Sequence, residues 1–337
     1  FYYAPPSGFL ALCTDNLPTP AVALPNDYFN IVEWAGDDAS PSATRVVGFE
    51  PDFVWIKNTS SASYGHNLYD VIRGVQKEIN ISDPSIELTN AQGLLSFEST
   101  GFTTGAAGIT NDNPWSYRAW TWLAGGTGVA NAVGTIASTV SANTTAGFSI
   151  VKYVGDGSSG ATVGHGLSEA PELVIVKSLD ITGDSEASSG WPIYTKPMGN
   201  TKYIYMSSDP GETVDSGKWN DTTPTASVFS LGDDGIVNDT GKNFIAYCFH
   251  SVEGYSKVGG FIGNGDDDGP FIYTGFTPKM YITKSRDTAD NWTVMSVPPN
   301  NYNVSQITQV TDSNAADGDS TSYRQDILSN GIKLRDD

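Results

Sequence analysis

Chemistry in a protein needs groups that take up or give up protons, attack, or hold a metal, and this chain has few in a useful arrangement. Its only imidazoles are His66, His165 and His250. A catalytic histidine works beside a nucleophile and is itself oriented by a third group. None of the three has a Ser or Cys in such a frame. Two scattered cysteines, Cys13 and Cys248, add no zinc-type spacing. With 38 acidic residues, a pair facing one glycosidic bond can always be found, so a pair carries no weight. The densest acidic cluster is Asp266-Asp267-Asp268 in GNGDDDG, which has the oxygen donors a hard cation takes. Asp37-Asp38 and Asp156 stand in the corresponding turns elsewhere, however, and Asp-Gly pairs are what turn geometry favours. The glycines from Gly263 to Gly269 precede no helix of the kind a nucleotide site requires. The expectation is no catalytic residue, no metal and no cofactor.

Aromatic faces remain as possible binding platforms, because they stack on sugar rings. Trp34, Trp115, Trp120 and Trp122 come into view first. In YRAWTWL, Trp120 and Trp122 fall on one strand face with a period of two, which a sandwich core explains. Trp115 and Trp219 lie in loop-like contexts, NDNPWSY and SGKWNDTTPT, and are the two surface candidates for a glycan.

The elements that must position these residues come in three copies. GFEPDFVWIK (48–57) returns as LSEAPELVIVK (167–177) and GFTPKMYITK (275–284). Aligned on Lys57, Lys177 and Lys284, the copies are about 120 and 107 residues apart, the size of a domain rather than of a solenoid repeat. Before each phrase stands an aromatic segment with a Gly/Asp turn: FNIVEWAGDD, FSIVKYVGDG and the shorter FIGNGDDDG. After it come HNLYDV, WPIYTK and NWTVMSV, so that His66 fills the slot of Trp191 and Trp292 and reads as a packing residue. A Gly-turn segment follows in each copy. YRAWTWLAGG and NFIAYCFHSVEG then close copies one and two. Copy three is expected to lack that closing strand, while residues 1–12 read as the last strand of an upstream domain. Each repeated lysine is expected to bury its stem and expose its head.

Short β-branched and aromatic runs bounded by Gly, Asp and Asn every 8–12 residues predict an all-β chain of tandem β-sandwich modules, concanavalin- or jelly-roll-like, strung out as beads in an elongated row. The expected divisions are 1–26 (end of an upstream sandwich plus a Pro-rich linker), 27–128, 129–258, and 259–337 for the module without its final strand. A net charge of −20 argues against nucleic acid as a partner. No stretch approaches 18 consecutive apolar residues, so no membrane insertion is expected. The cysteine count excludes a disulfide-stapled scaffold and fits folding in a reducing cytosol.

STVSANTTAGFSIVKYVGDGSSGATVGHGLSEAPELVIVKS (138–178) resembles a module of virion and tail proteins of tailed bacteriophages, especially marine ones. The run from Ser227 to Lys284 resembles its continuation into the next copy. FYYAPPSGFLALCTDNLPTP (1–20) resembles the end of a SPRY-type, concanavalin-like sandwich. The resemblance implies a virion structural protein, a tail fibre or appendage made in the host cytoplasm, which displays its modules for attachment to a host-surface glycan. It implies no enzyme and brings no catalytic residues. The expected partners are the chain itself as a homo-oligomer, with a trimer as the guess, and other virion proteins. The alternatives are a capsid-decorating or head-fibre protein and, from another class, a polysaccharide depolymerase tailspike.

Overall fold

The computed structural model describes residues 20–82, 85–181, 190–298, 302–319 and 323–335. Residues 1–12 and Cys13 lie outside them. The first unit contributes β1 (Phe29–Ala35), β2 (Arg45–Val46), β3 (Phe53–Asn58), β4 (His66–Asp70), β5 (Lys77–Asn80), β6 (Leu88–Thr89), β7 (Leu94–Glu98), β8 (Gly101–Thr104) and β9 (Ser116–Trp122). The second contributes β10 (Val129–Asn131), β11 (Ser138–Asn143), β12 (Phe148–Val154), β13 (Ala161–Gly164), β14 (Leu173–Ser178), β15 (Pro192–Thr195), β16 (Lys202–Tyr205), β17 (Thr213–Val214), β18 (Val228–Leu231) and β19 (Asn243–Phe249), with the single turns α1 (Ser216–Trp219) and α2 (Gly235–Asn238). The third contributes β20 (Phe271–Tyr273), β21 (Met280–Thr283), β22 (Thr293–Ser296), β23 (Ile307–Val310), β24 (Gly318–Asp319), β25 (Gln325–Leu328) and β26 (Gly331–Leu334). The fold is all-β, as the sequence predicts, and the paired strands run antiparallel.

The repeated phrase turns the chain into a central strand of the main sheet in units 1 and 2 and into the first strand of the main sheet in unit 3. Gly48, Gly166 and Gly275 take φ of 98°, 73° and 89°. L-residues avoid that region, which explains a glycine before each strand. The strand then enters a ladder: β1-β9-β3-β4-β5-β6 in unit 1, β10-β11-β12-β19-β14-β15-β16-β17 in unit 2 and β21-β22-β23-β24 in unit 3. A small sheet covers the outer face: β2-β8-β7, β13-β18 and β20-β26-β25 respectively. Between the layers, unit 1 packs Trp34, Val54, Ile56, Phe102 and Tyr117, and unit 2 packs Val151, Val174, Phe229 and Phe244. The stretch 71–79, where the sequence admits a turn or two of helix, instead turns into β5. Gly74 and Gln76 have φ of 91° and 64°, which no right-handed helix accepts.

The units are not beads in a row. The inner faces of their main sheets share one core. Trp55, Leu68 and Trp120 from unit 1 meet Ile150, Trp191 and Tyr247 from unit 2, and Trp292 and Val294 from unit 3. Three equivalent sets of hydrogen bonds close the arrangement. The backbone N–H of Glu87 donates to Leu179 O (2.9 Å), that of Glu212 to Arg286 O (2.8 Å) and that of Asp317 to Thr59 O (2.9 Å). Each acceptor lies two residues beyond the repeated lysine. Trp191 Nε1 donates to Asn80 O (3.1 Å), Trp292 Nε1 to Tyr205 O (2.7 Å), and His66 Nε2 lies 3.1 Å from Val310 O. A row of three has two junctions. Here unit 1 holds unit 3, unit 3 holds unit 2 and unit 2 holds unit 1, so the chain closes as a pseudo-threefold ring.

Candidate functional site

The repeated lysines are part of this closure, against the expectation that their heads reach water. Lys57 and Lys177 are fully buried. Lys57 Nζ donates to Tyr64 O (2.7 Å) and, across the junction, to Asn314 O (3.1 Å). Lys284 Nζ reaches Asp209 O of unit 2 (3.0 Å) and Ser285 O (2.7 Å). The Lys177 ammonium stands 5.9 Å from the centre of the Trp191 ring. The strands end at the inter-unit seam, so the Lys57 and Lys284 ammonium groups meet a neighbouring unit's carbonyls. Burial lowers the pKa of Lys57 to about 8.

His66 is fully buried. Trp55 Nε1 donates to its Nδ1 (2.9 Å), which leaves Nε2 to carry the proton toward Val310 O. Burial, with Lys57 and Arg118 nearby, holds its pKa well below the usual value, so the ring stays neutral. His165 is bound in the same tautomer, with Leu167 N–H donating to Nδ1 and Nε2 turned to Thr225 O. Cys248 is a buried free thiol, its pKa pushed up to about 12 by burial. Asp266 and Asp268 are used within their turn and in a pair with Lys333. Among the described residues, no cluster of His, Cys, Asp and Glu has the form of a metal site.

Of the two tryptophans proposed as surface platforms, Trp219 is 2% exposed and packs edge-on to Tyr194 at 6.2 Å. SGKWNDTTPT is not the loop it reads as. Asp215 caps α1, its Oδ1 accepting from Gly217 N (2.8 Å), and the turn inserts the indole into the core of unit 2. Trp115 is half-buried against the outer core of unit 1 and immediately precedes the residues that line a surface cleft.

That cleft, about 390 Å³, lies where unit 1 meets unit 3, with Glu33, Tyr117, Arg118 and Asp317 in its wall. Arg118 lies on β9 opposite Glu33 on β1. Its Nε and Nη2 donate to Glu33 Oε1 (2.9 and 2.7 Å), and Nη2 also donates to Asp317 Oδ2 (2.8 Å). Gln309 Nε2 donates to the other Asp317 oxygen at 2.5 Å. The Lys57 ammonium, beside Arg118 in the ladder, also acts on Asp317, so two carboxylates are balanced by two cations. The carboxylate oxygens present acceptors to hydroxyl groups. Unit 2 places Lys152 and Ile245 at the positions of Glu33 and Arg118. The ion pair is therefore a departure of unit 1 from the common pattern, not a requirement of the fold. The one available signal was a lone arginine in the otherwise apolar closing strand YRAWTWL; Asp317 stands in a loop and gave none. A second cleft, about 420 Å³ and in unit 2, has in its wall Val129, Val140, Leu167 and other side chains that do not ionise.

Residues 24–337 match the family described as "Domain of unknown function (DUF7483)". The chain belongs to that family. The match runs through all three units, so the family's domain is the ring and not one repeat. No curated protein and no solved structure matches.

Proposed function

We propose that this DUF7483 chain is a structural protein of a bacteriophage virion, a tail fibre or similar appendage, that acts by contact rather than catalysis. The observation that carries the reading is the use made of reactive side chains. His66, His165, Lys57 and Lys284 have their polar atoms committed to hydrogen bonds that hold turns and junctions together. That use suits a rigid display block. Immunogold labelling of purified particles with an antibody to this chain tests it. Label on a tail appendage is the expected result. Label confined to the head replaces it with the capsid-decorating alternative, and no label on particles overturns both. The partners in this reading are other virion proteins and further copies of the chain, with a homotrimer as the assembly. Light scattering that gives the mass of one chain, 35.8 kDa, counters the trimer.

Within this reading, the cleft of Glu33, Arg118 and Asp317 is the attachment point for a neutral host-surface glycan. Replacing the pair by its unit 2 counterparts (Glu33→Lys with Arg118→Ile) keeps the fold and is expected to weaken binding to host glycan at least tenfold. Unchanged binding by the folded variant removes the cleft from the proposal.

A further inference from the structure

Two of the three junctions are closed by an indole and one by an imidazole. Trp191 and Trp292 each donate an N–H to a carbonyl of the neighbouring unit, and an indole does not titrate. At the junction of units 1 and 3 the same place is held by His66, through Nε2 and the Val310 carbonyl. His66 can hold it in one protonation state only. Its Nδ1 already accepts from Trp55 Nε1 (2.9 Å), so a second proton on the ring would set two N–H groups against each other. The ring has no exposed surface and lies stacked on Trp120 at 6.3 Å, so that proton has no water to face instead.

The charges around the ring add to the conflict. Lys57 is its fully buried partner across the β3–β4 ladder, and Arg118 lies beyond Lys57 on β9. Lys57 titrates at about 8 and so is charged from neutral pH downward. The acids nearby are engaged elsewhere. Glu33 and Asp317 hold Arg118, and Asp317 takes a further bond from Gln309. Asp70 of β4 pairs with Arg73, Glu78 of β5 accepts from Tyr69, and Lys77 of β5 lies near Glu87. On the unit 3 side, β23 carries no ionisable side chain, and Asp312 beyond it interacts with Lys284 and Asp209. Among the described residues, no carboxylate stands ready to balance a charge on His66.

We propose that His66 is an acid-operated latch, whose protonation opens the junction of units 1 and 3 and leaves the other two junctions closed. The ring then becomes a row held at two junctions, and part of the shared core meets water. In the closed form, burial and the two cations hold the pKa of the imidazole well below its ordinary 6.5, which it regains once the junction opens. Between those values the open form binds the extra proton, and each pH unit below 6.5 favours opening tenfold. Asp312 works the other way. Burial raises its pKa to about 6, so the closed form takes up that proton and acid steadies the contact of unit 3 with unit 2.

The amides of Glu87, Glu212 and Asp317 close the three junctions by equivalent bonds, so their exchange reports on each junction within one native-state hydrogen-exchange experiment on the full chain. From pH 7 to pH 5 the protection factor of the Asp317 amide is expected to fall about twentyfold, in a loss that begins near pH 6.5. Those of Glu87 and Glu212 are expected to stay within about threefold. His66→Trp, which copies the other two junctions, and His66→Gln, which is smaller and keeps a donor, are each expected to abolish the fall. Protection of Asp317 that is unchanged down to pH 5, or lost only near pH 4 where carboxylates gain their protons, overturns the proposal. An equal fall at all three amides overturns it too, since the body would then open as a whole, and so does a fall that persists in either folded variant.

Discussion

Units 1 and 3 carry the same phrase and bury it differently. GFEPDFVWIK becomes a strand enclosed on both edges and both faces, while GFTPKMYITK becomes one whose four positions are half-buried. Both have the left-handed glycine, the buried proline and the terminal lysine held by a neighbour's carbonyl. Among the described residues, β3 has a strand on each edge and β21 on one. Local sequence sets a strand's direction and its contact with the next unit, but its burial comes from partners distant in sequence.

The comparison can be broken hardest at the seam. Asp70 and Arg73 are wholly buried and paired at 2.5 Å, and Tyr247 of unit 2 donates to Asp70 Oδ2 at 2.8 Å. Asp70→Ala takes the nearest carboxylate from a buried guanidinium and leaves it Glu87 at 3.5 Å with the carbonyls of Leu68 and Lys77, and denaturant titration should show a loss of about 3 kcal/mol. Trp191→Ala opens the shared core and removes the bond to Asn80 O, with an expected loss of about 3–5 kcal/mol by the same titration. Trp292→Ala, the same position in unit 3, is expected to cost about 3 kcal/mol, the low end for such a truncation, because that ring keeps 9% exposure. A loss equal to that of Trp191 would mean that unit 3 is packed as tightly as unit 2.

The lysines sharpen the comparison through pH. Lys57 titrates at about 8 when folded and near its ordinary 10.5 when unfolded. Between those values the unfolded chain binds more protons, so stability rises with pH, beginning near pH 8. Lys57→Met should lack that rise when urea midpoints are compared from pH 7.5 to 9.5, below the range where tyrosines ionise. The smallest effect belongs to Tyr302→Ser in unit 3. That ring is 87% exposed, and the melting temperature should not move measurably.

How much of this the sequence told depends on distance along the chain. The all-β strands and the interior role of His66 were legible, because hydrophobic alternation and the echo of one phrase are local signals. The ring was not. Its junctions join Glu87 to Leu179, Glu212 to Arg286 and Asp317 to Thr59, and the acid at each first position is too common a residue in this chain to stand out. The lysines were misjudged for the same reason, since a strand end reads as a surface exit until a neighbouring unit covers it. Trp219 was misread because a single capped turn has too few residues to show a helical period. The cleft was half legible, in Arg118 but not in Asp317.

The central claim is that three similar units make one closed body with a common core. Hydrogen exchange of Trp191→Ala, read by mass spectrometry for peptides of each unit, tests it most directly. A closed ring predicts that the most protected amides of all three units lose the same opening free energy, because none keeps its core without the others. Loss confined to peptides of unit 2, with units 1 and 3 protected as before, would contradict it.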